Sequence, residues 1–170
     1  MKVLLDTSAI NWLTDNPEPA EEFFACRDRG VIEVLVTPEA AKEVRDTKDP
    51  VRRAALEATL SRFFPLTPTR VPRVGAVRSG LGRVALPSDT ARLAGLNFLR
   101  DGQDRNLAAN AGGYRCDVFL TRDREMYLAK RAHVEAELGG TRVLEPEEFM
   151  RELTQSCGSG RQGQEGDTSS

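Results

Sequence analysis

A chain of 170 residues that is 39% hydrophobic and 29% charged is long enough for one well-buried core and too short for two ordinary domains. Its 24 basic and 26 acidic side chains leave a formal net charge of -2, which excludes a generally basic nucleic-acid coat. No apolar run approaches the roughly 18 to 20 residues of a membrane-spanning helix. Asp6 also interrupts the opening run too early for a secretory leader, so a cytoplasmic protein with no membrane partner is expected. Cys26, Cys116 and Cys157 are odd in number, far apart and without a CxxC pair, which fits reduced thiols. The one histidine, His133, lies among Lys130, Arg131, Glu135 and Glu137 and reads as a solvated helix residue. Serine-hydrolase and histidine-rich metal chemistries therefore have little to rest on.

Lys2 to Leu5 reads as a buried strand ending at Asp6, and Val31 to Val36 as another, closed by Thr37 and Pro38. A helix over Glu18 to Arg29, stopped at Gly30, links them. Thr37-Pro38 and Asp49-Pro50 each pair a capping side chain with a proline at the first turn, predicting two further helices, the second reaching about Phe64. Residues 65 to 88 are rich in proline and glycine and predict a long irregular segment or weak hairpin. Ser88 caps a helical stretch from Thr90 to Leu99, and a second runs from Asp104 to the Gly112-Gly113 stop. Val118 to Leu120 is a short strand, Arg124 to Leu138 a helix ended by Gly139-Gly140, Thr141 to Leu144 a strand, and Pro146 to Leu153 a last helix. This alternation predicts one α/β domain over residues 1–153, of three layers, with a mostly parallel central sheet flanked by helices. The stretch from Thr154 to Ser170 has no aliphatic residue and predicts a disordered tail.

Ligands of open parallel sheets bind beyond the carboxyl ends of the strands, and the polar residues at those positions here are acids. Asp6 follows the first strand, Asp123 follows Val118 to Leu120, Glu43 lies two turns into the helix after the second strand, and Asp104 heads a helix. Taken singly, Asp6 and Asp104 also read as helix caps, and Glu43 and Asp123 as solvated surface residues. Together, carboxylates held in one pocket repel each other unless a divalent cation neutralises them, and hard oxygen ligands without His or Cys point to Mg2+ or Mn2+.

Four stretches carry a resemblance to a known family. The opening Val3-Leu4-Leu5-Asp6-Thr7-Ser8-Ala9-Ile10 is similar to the first motif of the PIN-domain nucleases, which include VapC-type toxins. Thr37 to Val44 resembles the second motif with Glu43 in register, Asp104 to Ala111 the third, and Val118 to Asp123 the fourth. Arg142 to Leu153 looks like the closing strand and helix, so the resemblance covers about residues 1–152. It implies a PIN-like fold and an Mg2+- or Mn2+-dependent endoribonuclease that hydrolyses RNA phosphodiester bonds. Asp6 and Asp104 would be the principal metal ligands, Glu43 and Asp123 would complete the site directly or through water, and Thr7, Ser8 and Thr121 would be either orienting hydroxyls or ordinary caps. The implied partners are an RNA substrate and, on the toxin branch, an antitoxin protein and a second copy of the chain as a homodimer. Toxin and housekeeping RNA processing both stay open.

The neighbouring acids Glu39, Asp101 and Asp117 fall out of that register, and Asp117 reads as a strand-entry residue. Arg62, Arg70, Arg73, Arg78, Arg83 and Arg92 stand against Asp89 alone, as either phosphate contacts or a solvated loop. An aspartate-nucleophile phosphatase would need an acid where Ser8 stands, and a dinucleotide site would need glycines that Asp6 to Asn11 lacks. The serious alternative is a catalytically silent PIN-like module that grips RNA or a partner protein.

Overall fold

A computed structural model of the chain describes residues 1–64, 94–99, 102–125 and 127–158. Strands β1 (Lys2–Leu5), β2 (Glu33–Val36), β3 (Val118–Leu120) and β4 (Arg142–Leu144) form one four-stranded sheet in the order β2-β1-β3-β4, with every pairing parallel. Leu4 pairs with Leu35 on one side and Phe119 on the other, and Phe119 pairs with Val143. Strands covered on both faces need apolar side chains at every position, which is why they read as unbroken runs and not as alternations.

The two faces separate by residue parity. Val3, Leu5, Val36, Val118, Leu120 and Leu144 belong to one core cluster, and Leu4, Leu35, Phe119 and Val143 to the other. The first cluster is closed by helices α1 (Thr7–Asp15), α2 (Pro17–Asp28), α3 (Pro38–Arg45), α4 (Pro50–Ser61) and α7 (Pro146–Gly158). The second is closed by α5 (Gly102–Gly113), α6 (Arg131–Glu137) and Tyr127. Helices on both faces of a parallel sheet make the three-layer α/β architecture that the alternation predicts. Among the described residues no helix is long and apolar enough to cross a membrane.

The turn chemistry is local and explicit. Thr37 caps α3 by accepting from the Ala40 amide, and Asp49 caps α4 by accepting from the Val51 and Arg52 amides, each with proline just inside the helix. Gly139 and Gly140, after α6, adopt φ of 71° and 99°, a region where only glycine is relaxed. Helix α1 is fastened to α4 from the side: Arg52 pairs with Asp15 and donates to Asn11 Oδ1 at 2.8 Å, while Thr14 Oγ1 donates to Thr59 Oγ1 at 2.9 Å.

Beyond one-residue shifts, several elements differ from the sequence expectation, two of them only in where they begin, β2 at Glu33 and not Val31 and α5 at Gly102 and not Asp104. Helix α1 was not separated from the stretch after β1, because a nine-residue helix that breaks at Asn16-Pro17 offers too few periodic positions. The helix expected from Arg124 starts only at Arg131, after a single 3-10 turn over Leu128–Lys130. There the chain first wraps around one carbonyl, with the amides of Tyr127 and Leu128 both donating to Asp123 O at 3.2 and 3.1 Å. Helix α4 ends at Ser61, short of Phe64. The tail expected to be disordered from Thr154 begins instead as a continuation of α7 to Gly158, with Thr154 Oγ1 bonded to Met150 O at 2.9 Å and Glu22 Oε1 at 3.1 Å. The irregular segment 65–88, the Ser88 cap, residues 90–93 of the expected Thr90 to Leu99 helix and the tail from residue 159 lie outside the described residues; of the remainder of that helix, 94 and 95 are helical and 96–99 form turns and a bend instead.

Phe23, 1% exposed, stands at the centre of the first core, edge-on to Phe24, Phe63 and Phe149 at centroid distances of 5.8, 6.5 and 6.1 Å. Phe23→Ala is expected to lower the unfolding free energy by about 3 to 5 kcal/mol. Val51→Ala, at a side chain 78% exposed, should stay within about 0.5 kcal/mol of wild type. Urea denaturation measures both, and equal effects would remove Phe23 from the centre of the core.

Candidate functional site

The strand order places β2 on one side of β1 and β3 on the other, so chain connections depart in opposite directions beyond the ends of β1 and β3. A crevice opens at such a reversal. The ends are knitted together there: the Asp6 amide donates to Leu120 O at 3.0 Å, and the Thr121 amide to Leu144 O at 3.1 Å.

Asp6 occupies this crevice and is only 8% exposed. Its Oδ1 accepts from the Thr7 amide at 2.7 Å, which makes it the N-cap of α1. Its Oδ2 accepts from Ser8 Oγ at 2.6 Å and Thr121 Oγ1 at 2.8 Å. Each hydroxyl in turn accepts from the next loop, Ser8 Oγ from the Arg122 amide at 2.8 Å and Thr121 Oγ1 from the Asp123 amide at 3.0 Å. The loop from Thr121 to Asp123 is thus folded around the Asp6 carboxylate. Burial holds the Asp6 carboxyl above its ordinary value against the pull of these three donors, and the Asp123 charge pushes it the same way. Capping and site membership coincide in one residue.

Hydrogen bonds tie Glu43 and the backbone of Asp104 to neighbours of this crevice. Glu43, exposed on α3, accepts from Thr7 Oγ1 at 2.6 Å, so the residue beside Asp6 reaches it directly. Asp104 lies in the first turn of α5, two residues inside the helix and not at its cap. The Tyr127 hydroxyl donates to Asp104 O at 2.8 Å, and the Tyr127 ring, 1% exposed, stands edge-on to Phe119 with centroids 5.0 Å apart. That phenol is pushed well above its ordinary value by burial first, and then by the charges of Asp6, Asp104 and Asp123. The charges of three of the four acids therefore act on one buried hydroxyl. Tyr127 was not singled out from the sequence; the available signal was an aromatic residue between Met126 and Leu128, four positions after Asp123.

Of the described neighbouring acids, Asp117 separates from this group. Glu39, one turn before Glu43, is buried at 9% exposure. Asp117 lies at the opposite end of the sheet, where its Oδ2 accepts from the Lys2 amide at 2.6 Å, a strand-entry role as expected. Asp101 lies outside the described residues. Of the arginines considered as phosphate contacts only Arg62 is described: its guanidinium sits 3.5 Å over the Phe24 ring and donates to Glu21 Oε1 at 2.6 Å. Arg70, Arg73, Arg78, Arg83 and Arg92 lie outside the described residues. Two arginines beside Asp123 are placed instead, Arg122 at 3.4 Å from Glu147 and Arg124 at 3.5 Å from Glu145. His133 is an exposed helix residue stacked on Phe98 with centroids 4.1 Å apart. Cys116 is buried and its thiol is pushed up to about 12 by that burial, which removes it as a nucleophile at neutral pH.

The donor set is carboxylate and hydroxyl oxygen, the chemistry a hard divalent cation selects, and the repulsion between Asp6 and Asp123 is what such a cation relieves. Helix α5 adds a buried amide oxygen, Asn106 Oδ1, with no hydrogen-bond partner among the described residues. As the side chains stand, no three acidic, His or Cys groups among the described residues converge on one point. The acids are gathered at one edge by hydroxyls and by Tyr127. Comparison with known proteins adds no relative: no family model matches the chain, and no curated protein matches it.

The raised Asp6 carboxyl has a definite sign in stability. Folding holds its proton more tightly than the unfolded chain does, so its contribution favours the fold below the unfolded value near about 4 and is lost as pH rises through the raised folded value. Asp6→Asn removes that titration. The difference in unfolding free energy, variant minus wild type, is expected to move in the variant's favour between about pH 3 and about pH 7 by urea denaturation. A difference independent of pH would contradict the assigned shift.

Proposed function

We propose that the chain is a PIN-type endoribonuclease that uses Mg2+ or Mn2+ held by Asp6, Glu43, Asp104 and Asp123. The observation that carries the reading is Asp6 fixed by Ser8 and Thr121 at the carboxyl edge of a parallel sheet, with Glu43 tied to Thr7, and Asp104 and Asp123 tied to Tyr127 through their backbone carbonyls. The resemblance of four sequence motifs supplies the family and the RNA substrate.

A divalent ion bound there supplies an ionisable water and stabilises negative charge on a phosphodiester undergoing attack. The chain's own residues divide the remaining work by their exposure and anchoring. Asp6 is fixed by three donors and acts as the immobile ligand. Asp104 sits in the first turn of α5, where helix amides and the helix dipole favour an incoming anionic phosphate. Glu43 is exposed and so is the carboxylate able to exchange protons with solvent. Arg122 and Arg124, with side chains 49% and 81% exposed, hold their glutamate partners at long range and are open to exchange them for RNA phosphates.

The second reading, a catalytically silent module of the same architecture that grips RNA or a protein, draws on the lack of a converged ligand trio among the described residues. An antitoxin partner and a homodimer rest on the sequence resemblance and not on this geometry.

Single-stranded RNA is expected to be cleaved in Mn2+ or Mg2+, to survive in excess chelator, and to survive with Asp104→Asn. In the absence of RNA, Mn2+ at about a hundredfold excess over its dissociation constant should add about 2.7 kcal/mol of stability. For a domain of this size that is a rise of roughly 5 to 10 °C in Tm. Asp104→Asn should lose most of the rise, and Asp117→Asn, at the far end of the sheet, should keep it. Cleavage that persists in chelator sinks the metal-dependent reading; RNA binding with neither cleavage nor a Mn2+ response selects the silent module.

A further inference from the structure

Tyr127 touches two of the four acids through different groups. Its amide donates to Asp123 O at 3.2 Å, and its hydroxyl donates to Asp104 O at 2.8 Å. The two acids belong to different elements, Asp123 to the loop after β3 and Asp104 to the first turn of α5. The phenol ring between these bonds is 1% exposed and packs edge-on against Phe119, the central residue of β3. A rigid ring with only two side-chain torsions, locked at both ends and along its edge, is a spacer of fixed length.

We propose that Tyr127 is a positioning residue of the carboxylate site, whose hydroxyl bolts the helix bearing Asp104 to the loop bearing Asp123 and so sets the separation of acids that a divalent cation bridges. This role rests on the functional reading above and adds to it a residue that none of the four motifs contains. Phenylalanine would fill the same volume against Phe119, so packing alone does not call for the hydroxyl. A buried hydroxyl is tolerated when it is bonded, and this one has its acceptor in Asp104. Because the bond reaches a first-turn carbonyl of α5, its loss frees the start of that helix before the remainder, which is fastened by Leu107, Ala108 and Ala111 in the core.

The test compares wild type, Tyr127→Phe and Tyr114→Phe, the last a half-buried tyrosine just beyond the far end of α5. Hydrogen exchange without metal reports the bolt itself: amides of Asn106 to Ala108 should exchange faster in Tyr127→Phe, and those near Ala111 should not. Mn2+ titration of Tm reports the site: the concentration giving half the rise should increase about tenfold in Tyr127→Phe. Kinetics should show kcat lowered about tenfold with KM for RNA unchanged. Tyr114→Phe should match wild type in all three. Unchanged exchange at Asn106 to Ala108 overturns the bolt. Faster exchange with an unchanged Mn2+ midpoint and kcat reduces Tyr127 to a structural peg and overturns the positioning role alone. A wild type with neither Mn2+ response nor cleavage overturns the functional reading and this role together.

Discussion

The reversal between β1 and β3 is the constraint from which the rest of the site follows. In a parallel sheet covered on both faces, the first polar position after each strand has nowhere to go except the open edge. Asp6 and Thr121 are those positions for the two strands that flank the reversal, and they meet at 2.8 Å. Burying a carboxylate there is costly unless donors reach it. Ser8, Thr121 and the Thr7 amide supply them, and the hydroxyl oxygens left over take up the amides of Arg122 and Asp123. The path of the chain to Asp123 is therefore a consequence of satisfying Asp6.

Both helical layers contribute acids to this edge. Asp6 opens α1, and Glu43 rides on α3, in the layer that contains the phenylalanine cluster. Asp104 rides on α5 in the opposite layer, where Ala108, Ala109 and Ala111 are fully buried and let the helix backbone approach the sheet closely. The separation of the acids is thus set by the thickness of two differently packed layers. Contacts between elements within each layer, such as Tyr127 to Asp104 and Thr7 to Glu43, matter because no single element carries the site.

The strands and helix starts were legible in the sequence wherever the physics is local. Unbroken apolar runs gave β1 and β3 their bounds, and Thr37-Pro38, Asp49-Pro50 and Gly139-Gly140 mark helix ends that depend on adjacent residues only. The helical continuation past Leu153 was hidden because its fastening is Thr154 to Glu22, a contact between residues 132 positions apart. The contact of Tyr127 with Asp104 was hidden for the same reason, since a hydroxyl reaching a carbonyl 23 positions away leaves no periodic trace. At the candidate site, Asp6, Glu43, Asp104 and Asp123 all lie toward the expected edge. The sequence offered no sign that Asp104 sits inside its helix, or that the neighbouring Glu39 is buried.

What separates this edge from an ordinary capped helix start is the kind of partner Asp6 takes. Among the described residues its hydrogen bonds come from an amide and two hydroxyls, and no ion pair reaches it. Arg122 is anchored to Ser8 through its own backbone amide, yet its guanidinium pairs with Glu147. A guanidinium on Asp6 would have neutralised the charge permanently and pulled its pKa down; hydroxyls orient the carboxylate and leave the charge in place. On the proposed reading, the resulting potential would oppose a polyanionic RNA at the edge where the strands end and α5 begins. On that reading, a divalent cation bound there would reverse that sign locally, and cation and RNA affinity would be thermodynamically linked, each raising the other. A module meant only to grip RNA has no use for such a linkage and is better served by a basic surface, whereas a nuclease gains from admitting its substrate only when the cation is present.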